Sequence, residues 1–110
     1  MIRRVPAPQH RRSRVLVCDP LADEGLQILS QHFDVDVHTG LSEDEMAAII
    51  GDYEAVVVRS ATKITSRLID RAERLRIVAR AGAGLDTIDV SAAVDRGIDV
   101  INAPDANTLA

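Results

Sequence analysis

The sequence predicts an α/β protein built on a doubly wound, five-stranded parallel sheet. Three observations carry that prediction. Short aliphatic runs at 15–18, 55–58, 76–79 and 98–101 alternate with stretches long enough to be helices. Hydrophobic residues make up 46% of the chain but aromatics only 2%, so the core must be Val, Ile, Leu and Ala. That mix suits strands buried on both faces by helices. Polar or glycine-containing segments (Asp19-Pro20, Arg59-Ser60, Arg80 to Gly84, Asn102 to Pro104) then fall where strands should end.

The elements follow in order. Val15-Leu16-Val17-Cys18 reads as a first strand, and residues 21–32 as a helix with apolar residues at near-helical spacing. Val35 and Val37 alternate with Asp34, Asp36 and His38, the pattern of an edge strand with one wet face. Ser42 and Glu45 form a capping box, in which hydroxyl and carboxylate each accept an amide of the other's turn. The helix it opens carries Met46, Ala47, Ile49 and Ile50 inward, with Gly51 as its expected stop. Residues 55–58 are continuously apolar and read as a central strand. Thr65 or Ser66 caps a helix running through Leu68, Ile69, Ala72 and Leu75. A fourth strand at 76–79 precedes a short helix at 90–95, capped by Asp89 and ended by Gly97. The fifth strand, 98–101, is expected to end at Asn102-Ala103-Pro104. Crossovers of helix length are right-handed and wind such strands into one sheet.

Charge and cysteine content narrow the function classes. The net charge is −4, yet all 17 acidic residues lie after position 18. From Val15 onward eight basic residues face those 17, a net −9, which repels nucleic acid at long range. The shortage of aromatics also argues against single-strand binding by base stacking. No apolar run approaches the ~20 residues of a membrane span. The lone Cys18 excludes an intrachain disulfide and fits a reducing, cytoplasmic setting; it is expected to be buried at a strand end. Residues 1–13, basic and carrying Pro6 and Pro8, read as a disordered tail. His32 and His38 lack metal-ligand partners at sensible spacing and read as solvated or capping.

Ligands of open α/β sheets sit beyond the carboxyl ends of the strands. Arg59 and Arg80 can fork onto carboxylate or phosphate oxygens, Ser60 offers a hydroxyl, and Lys63 can add charge from the rim. The backbone at Gly82, Ala83 and Gly84 can approach an anion closely. A dinucleotide fingerprint would need a third glycine at position 87, where Thr87 stands. Together these residues predict an anion site. Asp86 and Asp89 read as caps of the following helix, not as a catalytic pair.

Taken together, these stretches resemble the N-terminal part of the D-isomer-specific 2-hydroxyacid dehydrogenases. The resemblance rests on V-L-V-C-D-P-L from Val15, R-S-A-T-K-I-T from Arg59, R-A-G-A-G-L-D from Arg80 and V-I-N-A-P from Val100, and it runs from Arg14 to Ala110. It implies a flavodoxin-like substrate-binding segment at 14–104, then the start of a truncated linker helix at 105–110. In that family the substrate domain is built from both chain ends, with the NAD domain inserted between them. The resemblance implies that the amides of Ala83 and Gly84 hold the substrate carboxylate. It implies that Arg59, Ser60 and Arg80 face the substrate, the arginines suiting a phosphate. The implied partner is a small phosphorylated 2-hydroxy acid, and the implied pathway is serine biosynthesis. NAD is the family's cofactor, expected to bind on the missing NAD domain and not on this segment; an oligomer is compatible with the family. The family's catalytic arginine, glutamate and histidine have no counterpart here, so no catalytic residue and no turnover are expected of these residues alone. Thr87 departs from a common asparagine, and Asp105-Ala106 from a small residue followed by glycine. The alternative reading is a non-catalytic flavodoxin-like module that binds an anion or regulates.

Overall fold

The computed structural model describes residues 12–82 and 86–103. Five strands run β1 (Arg14–Val17), β2 (Asp34–Val37), β3 (Ala55–Val58), β4 (Ile77–Ala81) and β5 (Asp99–Ala103). Between them lie helices α1 (Asp23–His32), α2 (Glu43–Ile49), α3 (Ser66–Arg71) and α4 (Val90–Asp95). Every pairing is parallel, and the sheet order is β2-β1-β3-β4-β5. The doubly wound, flavodoxin-like α/β fold expected from the sequence is therefore the one observed. The wet strand β2 lies at an edge, and β3 at the centre.

Side-chain alternation along the strands divides the core in two. Leu16, Cys18, Val56, Val58 and Val78 point to one face, where Met46, Ile50, Tyr53, Leu68, Ile69 and Ala93 pack onto them. That face is covered by α2, α3 and α4. Val15, Val17 and Val57 point to the other, against Leu21, Leu26 and Leu29 of the α1 segment.

Local chemistry explains the helix starts on the first face. Ser42 Oγ accepts from the Glu45 amide at 3.1 Å while Glu45 Oε1 accepts from the Ser42 amide at 2.8 Å. Of the two candidates before α3, Thr65 is the cap. Asp89 Oδ1 accepts from the Ala92 amide at 3.0 Å and opens α4. Each such cap is worth about 0.5–2 kcal/mol. The helix α1 has no side-chain cap; Asp23 and Glu24 in its first turn complement its dipole instead.

Several boundaries differ from expectation. Strand β4 runs on to Ala81 because its ladder to β5 continues that far, so Arg80 lies in the strand and not in the loop after it. Gly51 does not stop α2, which tightens into a 3-10 turn (Ile50–Asp52) ending at Tyr53. Helix α3 closes at Arg71, because Ala72 leaves helical geometry at ψ 73°, although Ala72 and Leu75 are still buried. Asn102 and Ala103 belong to β5, since the ladder to β4 continues that far. Of the expected tail, residues 1–11 lie outside the described residues, as does the expected linker start at 105–110. Arg12 and Ser13 are fastened: Arg12 donates to the Ser30 carbonyl at 2.9 Å, and the Ser13 carbonyl accepts from Asp34 at 3.0 Å.

A polar cluster joins β1, β2 and the residue Tyr53 before β3. Asp36 accepts from Tyr53 Oη at 2.6 Å and from Arg14 at 2.9 Å, and the Arg14 guanidinium lies 4.6 Å from the Tyr53 ring centre. The hydroxyl of Tyr53 and the charge of Arg14 hold the Asp36 carboxyl below its ordinary range. Burial, then the bond to Asp36, pushes Tyr53 up to about 12.

Candidate functional site

Because all strands are parallel, their carboxyl ends share one edge. The order reverses between β1 and β3, which makes the crevice above those two strands the expected ligand position. Asp19 follows β1 there, and Arg59-Ser60 follows β3. Arg80 is the penultimate residue of the neighbouring strand β4, in register with Val58 of β3 and Asn102 of β5. The topology thus brings Arg59, Ser60 and Arg80 to adjacent strand ends. Arg59 and Ser60 are exposed, whereas Arg80 is 9% exposed. Ala83 and Gly84, the remaining expected site residues, lie outside the described residues.

Gly82 has a role not expected from the sequence. Its φ of +144° is strained for any residue with a side chain. A Cβ there would also stand 3.0 Å from Arg80 Nη1. The glycine therefore makes room for the Arg80 guanidinium as well as for the turn. Together with Thr87 in place of a third glycine, this does not fit a dinucleotide cradle. Arg80 also borders an apolar groove of about 260 Å³ lined by Leu21, Gly25, Val57, Ala79 and Ile101. Lys63 borders a different hollow, beside Leu41, Met46 and Leu68.

Two features fix the loops. Asp19, only 3% exposed, places one carboxylate oxygen 2.6 Å from the Arg59 amide and 3.2 Å from the Thr62 amide. Its other oxygen accepts from the Thr62 hydroxyl at 2.6 Å. Further along, Ile64 pairs with Ile88: its amide donates to the Thr87 carbonyl at 2.8 Å, and its carbonyl accepts from the Asp89 amide at 2.9 Å. The Arg59 loop is thereby attached to the loop that follows β4.

Sequence reasoning placed Asp19 at this edge but gave it no task, and passed over Thr62. The available signal was an acid directly after a buried strand, where an ionised group must find donors. Cys18 is buried as expected, 3.7 Å from the sulfur of Met46. Burial, with the charge of Asp19 adding to it, pushes its thiol up to about 12, so it is no nucleophile at neutral pH. His32 and His38 are exposed, in keeping with the solvated reading. Among the described residues no three His, Cys, Asp or Glu side chains cluster to hold a metal. No helix among them is long and apolar enough to cross a membrane.

The fold thus sets cationic and hydroxyl side chains along the carboxyl edge of a parallel α/β sheet. Residues 15–110 match the D-isomer specific 2-hydroxyacid dehydrogenase family, catalytic domain. The chain belongs to that family of oxidoreductases. It is 48% identical over 98 residues to a D-3-phosphoglycerate dehydrogenase of Synechocystis sp., covering 89% of this chain and 18% of that protein. A crystal structure of a protein from Pyrococcus horikoshii superposes with a TM-score of 0.81 at 34% identity, over 83% of this chain and 27% of the other. The NAD+-bound 3-phosphoglycerate dehydrogenase of Entamoeba histolytica superposes with a TM-score of 0.75 at 28% identity, over 83% of this chain and 32% of the other. The chain therefore spans less than a third of each of these relatives.

Proposed function

We propose that this chain is the N-terminal substrate-binding part of an NAD-dependent D-2-hydroxyacid dehydrogenase acting on 3-phosphoglycerate, a cytoplasmic step of serine biosynthesis. The observation that carries this reading is the gathering of Arg59, Ser60 and Arg80 at adjacent strand ends. It is supported by the 48% identity to a D-3-phosphoglycerate dehydrogenase. In this reading the two guanidinium groups neutralise the phosphate, Ser60 donates a hydrogen bond, and amides of Ala83 and Gly84 hold the carboxylate. Residues 14–104 form the substrate-binding body. NAD, on a domain of its own, would supply the hydride acceptor; the task of this segment is to bind and orient. The apolar groove beside Arg80 suits a substrate domain that another part of the enzyme completes.

Calorimetric titration of the chain with 3-phosphoglycerate, D-glycerate and inorganic phosphate tests the reading. The phosphorylated hydroxy acid is expected to bind tightest. Arg59→Ala and Arg80→Ala should each weaken it about 10-fold or more, the scale of a lost charged hydrogen bond. Absence of binding, or equal affinity for inorganic phosphate, would overturn it; the second result favours the plain anion-binding module. No NADH formation from 3-phosphoglycerate is expected of the chain alone, and measurable turnover would contradict this division of labour.

A further inference from the structure

Among the described residues the Asp19 carboxylate makes three hydrogen bonds, and all three go to the loop after β3. Two of the donors are backbone amides, so the carboxylate fixes the path of the main chain from Arg59 to Thr62 directly. Arg59 and Ser60 are exposed, and their side chains project from a backbone that an otherwise buried group holds in place. The Arg59 guanidinium also reaches back to the Pro20 carbonyl at 3.4 Å, over the residue that follows the acid. A group already fixed before ligand arrives loses less freedom on binding.

We infer that Asp19 is a positioning residue for the anion site: its hydrogen bonds hold the Arg59–Thr62 loop in the binding geometry, and it does not touch the ligand. This rests on the proposed function for the identity of the ligand. The clamp works by acceptor geometry, and that makes it separable from a role for the charge. Asparagine can keep all three contacts. Its oxygen can face the two amides, and its NH2 can face the Thr62 hydroxyl, which then turns toward the Cys18 carbonyl 3.5 Å away. Alanine keeps none.

The test compares Asp19→Ala and Asp19→Asn with the unchanged chain, by titration with 3-phosphoglycerate and by amide hydrogen exchange. Asp19→Ala is expected to weaken binding about 10-fold or more and to hasten exchange at Arg59 and Thr62, because each amide loses a buried acceptor. Asp19→Asn is expected to restore affinity to within about 3-fold and to restore slow exchange. Native affinity in Asp19→Ala overturns the inference, and so does Asp19→Asn binding as poorly as Asp19→Ala. Failure of the unchanged chain to bind 3-phosphoglycerate defeats the proposed function instead. The exchange measurement then decides the clamp alone: unchanged rates at Arg59 and Thr62 in Asp19→Ala reject it, and faster rates rescued by asparagine uphold it. If Asp19→Ala does not fold, exchange in the unchanged chain decides: Arg59 and Thr62 amides that exchange as fast as unprotected loop amides overturn the inference, and slow exchange at both upholds it.

Discussion

One face of the sheet carries three helices, each opened by a side-chain cap, over a cluster of 17 buried residues. Among the described residues the other carries a single helix with no side-chain cap, over a cluster of three. On the first, Leu16, Ile50, Val56, Val58, Ile64, Ile69 and Val78 are completely shielded from water. On the second, Ala79 and Ile101 line a groove, and Ile77 and Ile101 remain 37% and 51% exposed. The difference separates two tasks. The closed face provides the packing that keeps strand ends, and hence the arginines, in register. Among the described residues the open face leaves apolar surface uncovered, around Ile77 and Ile101.

The largest expected effect lies in the closed face. Ile69→Ala should cost about 2–5 kcal/mol, the usual range for truncating a fully buried aliphatic side chain, read as a lower urea midpoint. A loss under about 1 kcal/mol would show that this face is looser than its burial suggests. Tyr53→Phe comes next, at about 1–2 kcal/mol, because Asp36 loses a charged hydrogen bond but remains partly solvated.

That variant should also change the pH dependence at both ends. Folded Tyr53 keeps its proton to about 12, against about 10 in the unfolded chain, so its stabilisation is complete below pH ~10 and is lost as pH rises toward 12. Cys18, also raised to about 12, adds to the same alkaline decline. Asp36 is shifted the other way. Its stabilisation is present above the ordinary carboxylate value near 4 and is lost as pH falls through its lower folded value. Tyr53→Phe should flatten the alkaline arm in part and weaken the acid arm, both visible in melting temperature against pH.

Smaller still is Ser42→Ala, which removes one half of the capping box and should cost about 1 kcal/mol, measured as a drop in melting temperature. The smallest effect is expected on the open face. Ile101→Ala should change stability by no more than about 0.5 kcal/mol while reducing the binding of a hydrophobic dye. A cost comparable with that of Ile69→Ala would erase the distinction between the faces.

Much of this architecture was legible because it is local. The aliphatic runs marked the strands, the alternation of Val35 and Val37 with aspartates marked the wet edge, and Ser42, Glu45 and Asp89 announced helix starts within three residues of their partners. The ends of elements were less legible, since neighbours decide them. Asn102 extends β5 because β4 offers it a partner, and Gly51 fails to stop α2 because a 3-10 turn carries the chain on to Tyr53. Arg59 and Ser60 could be placed by sequence because strand ends of a parallel sheet share an edge; Arg80, expected in the loop after β4, lies instead in the strand, because its ladder to β5 runs on. The task of Asp19 could not, as its donors lie 40 and 43 positions further along the chain. Two of those donors are backbone amides, which any residue type supplies.

The bridge between Ile64 and Ile88 sets limits on how this chain can change its length in evolution. The stretch from Arg59 to Ile64 is pinned at Thr62 by Asp19 and at Ile64 by Thr87 and Asp89. An inserted or deleted residue there has to break one pin or shift the turn after β4. The exposed turn at Gly40, with φ +74° and open space around it, bears no such double attachment. Related sequences should therefore gain and lose residues near Gly40 and keep the Arg59–Ile64 spacing constant.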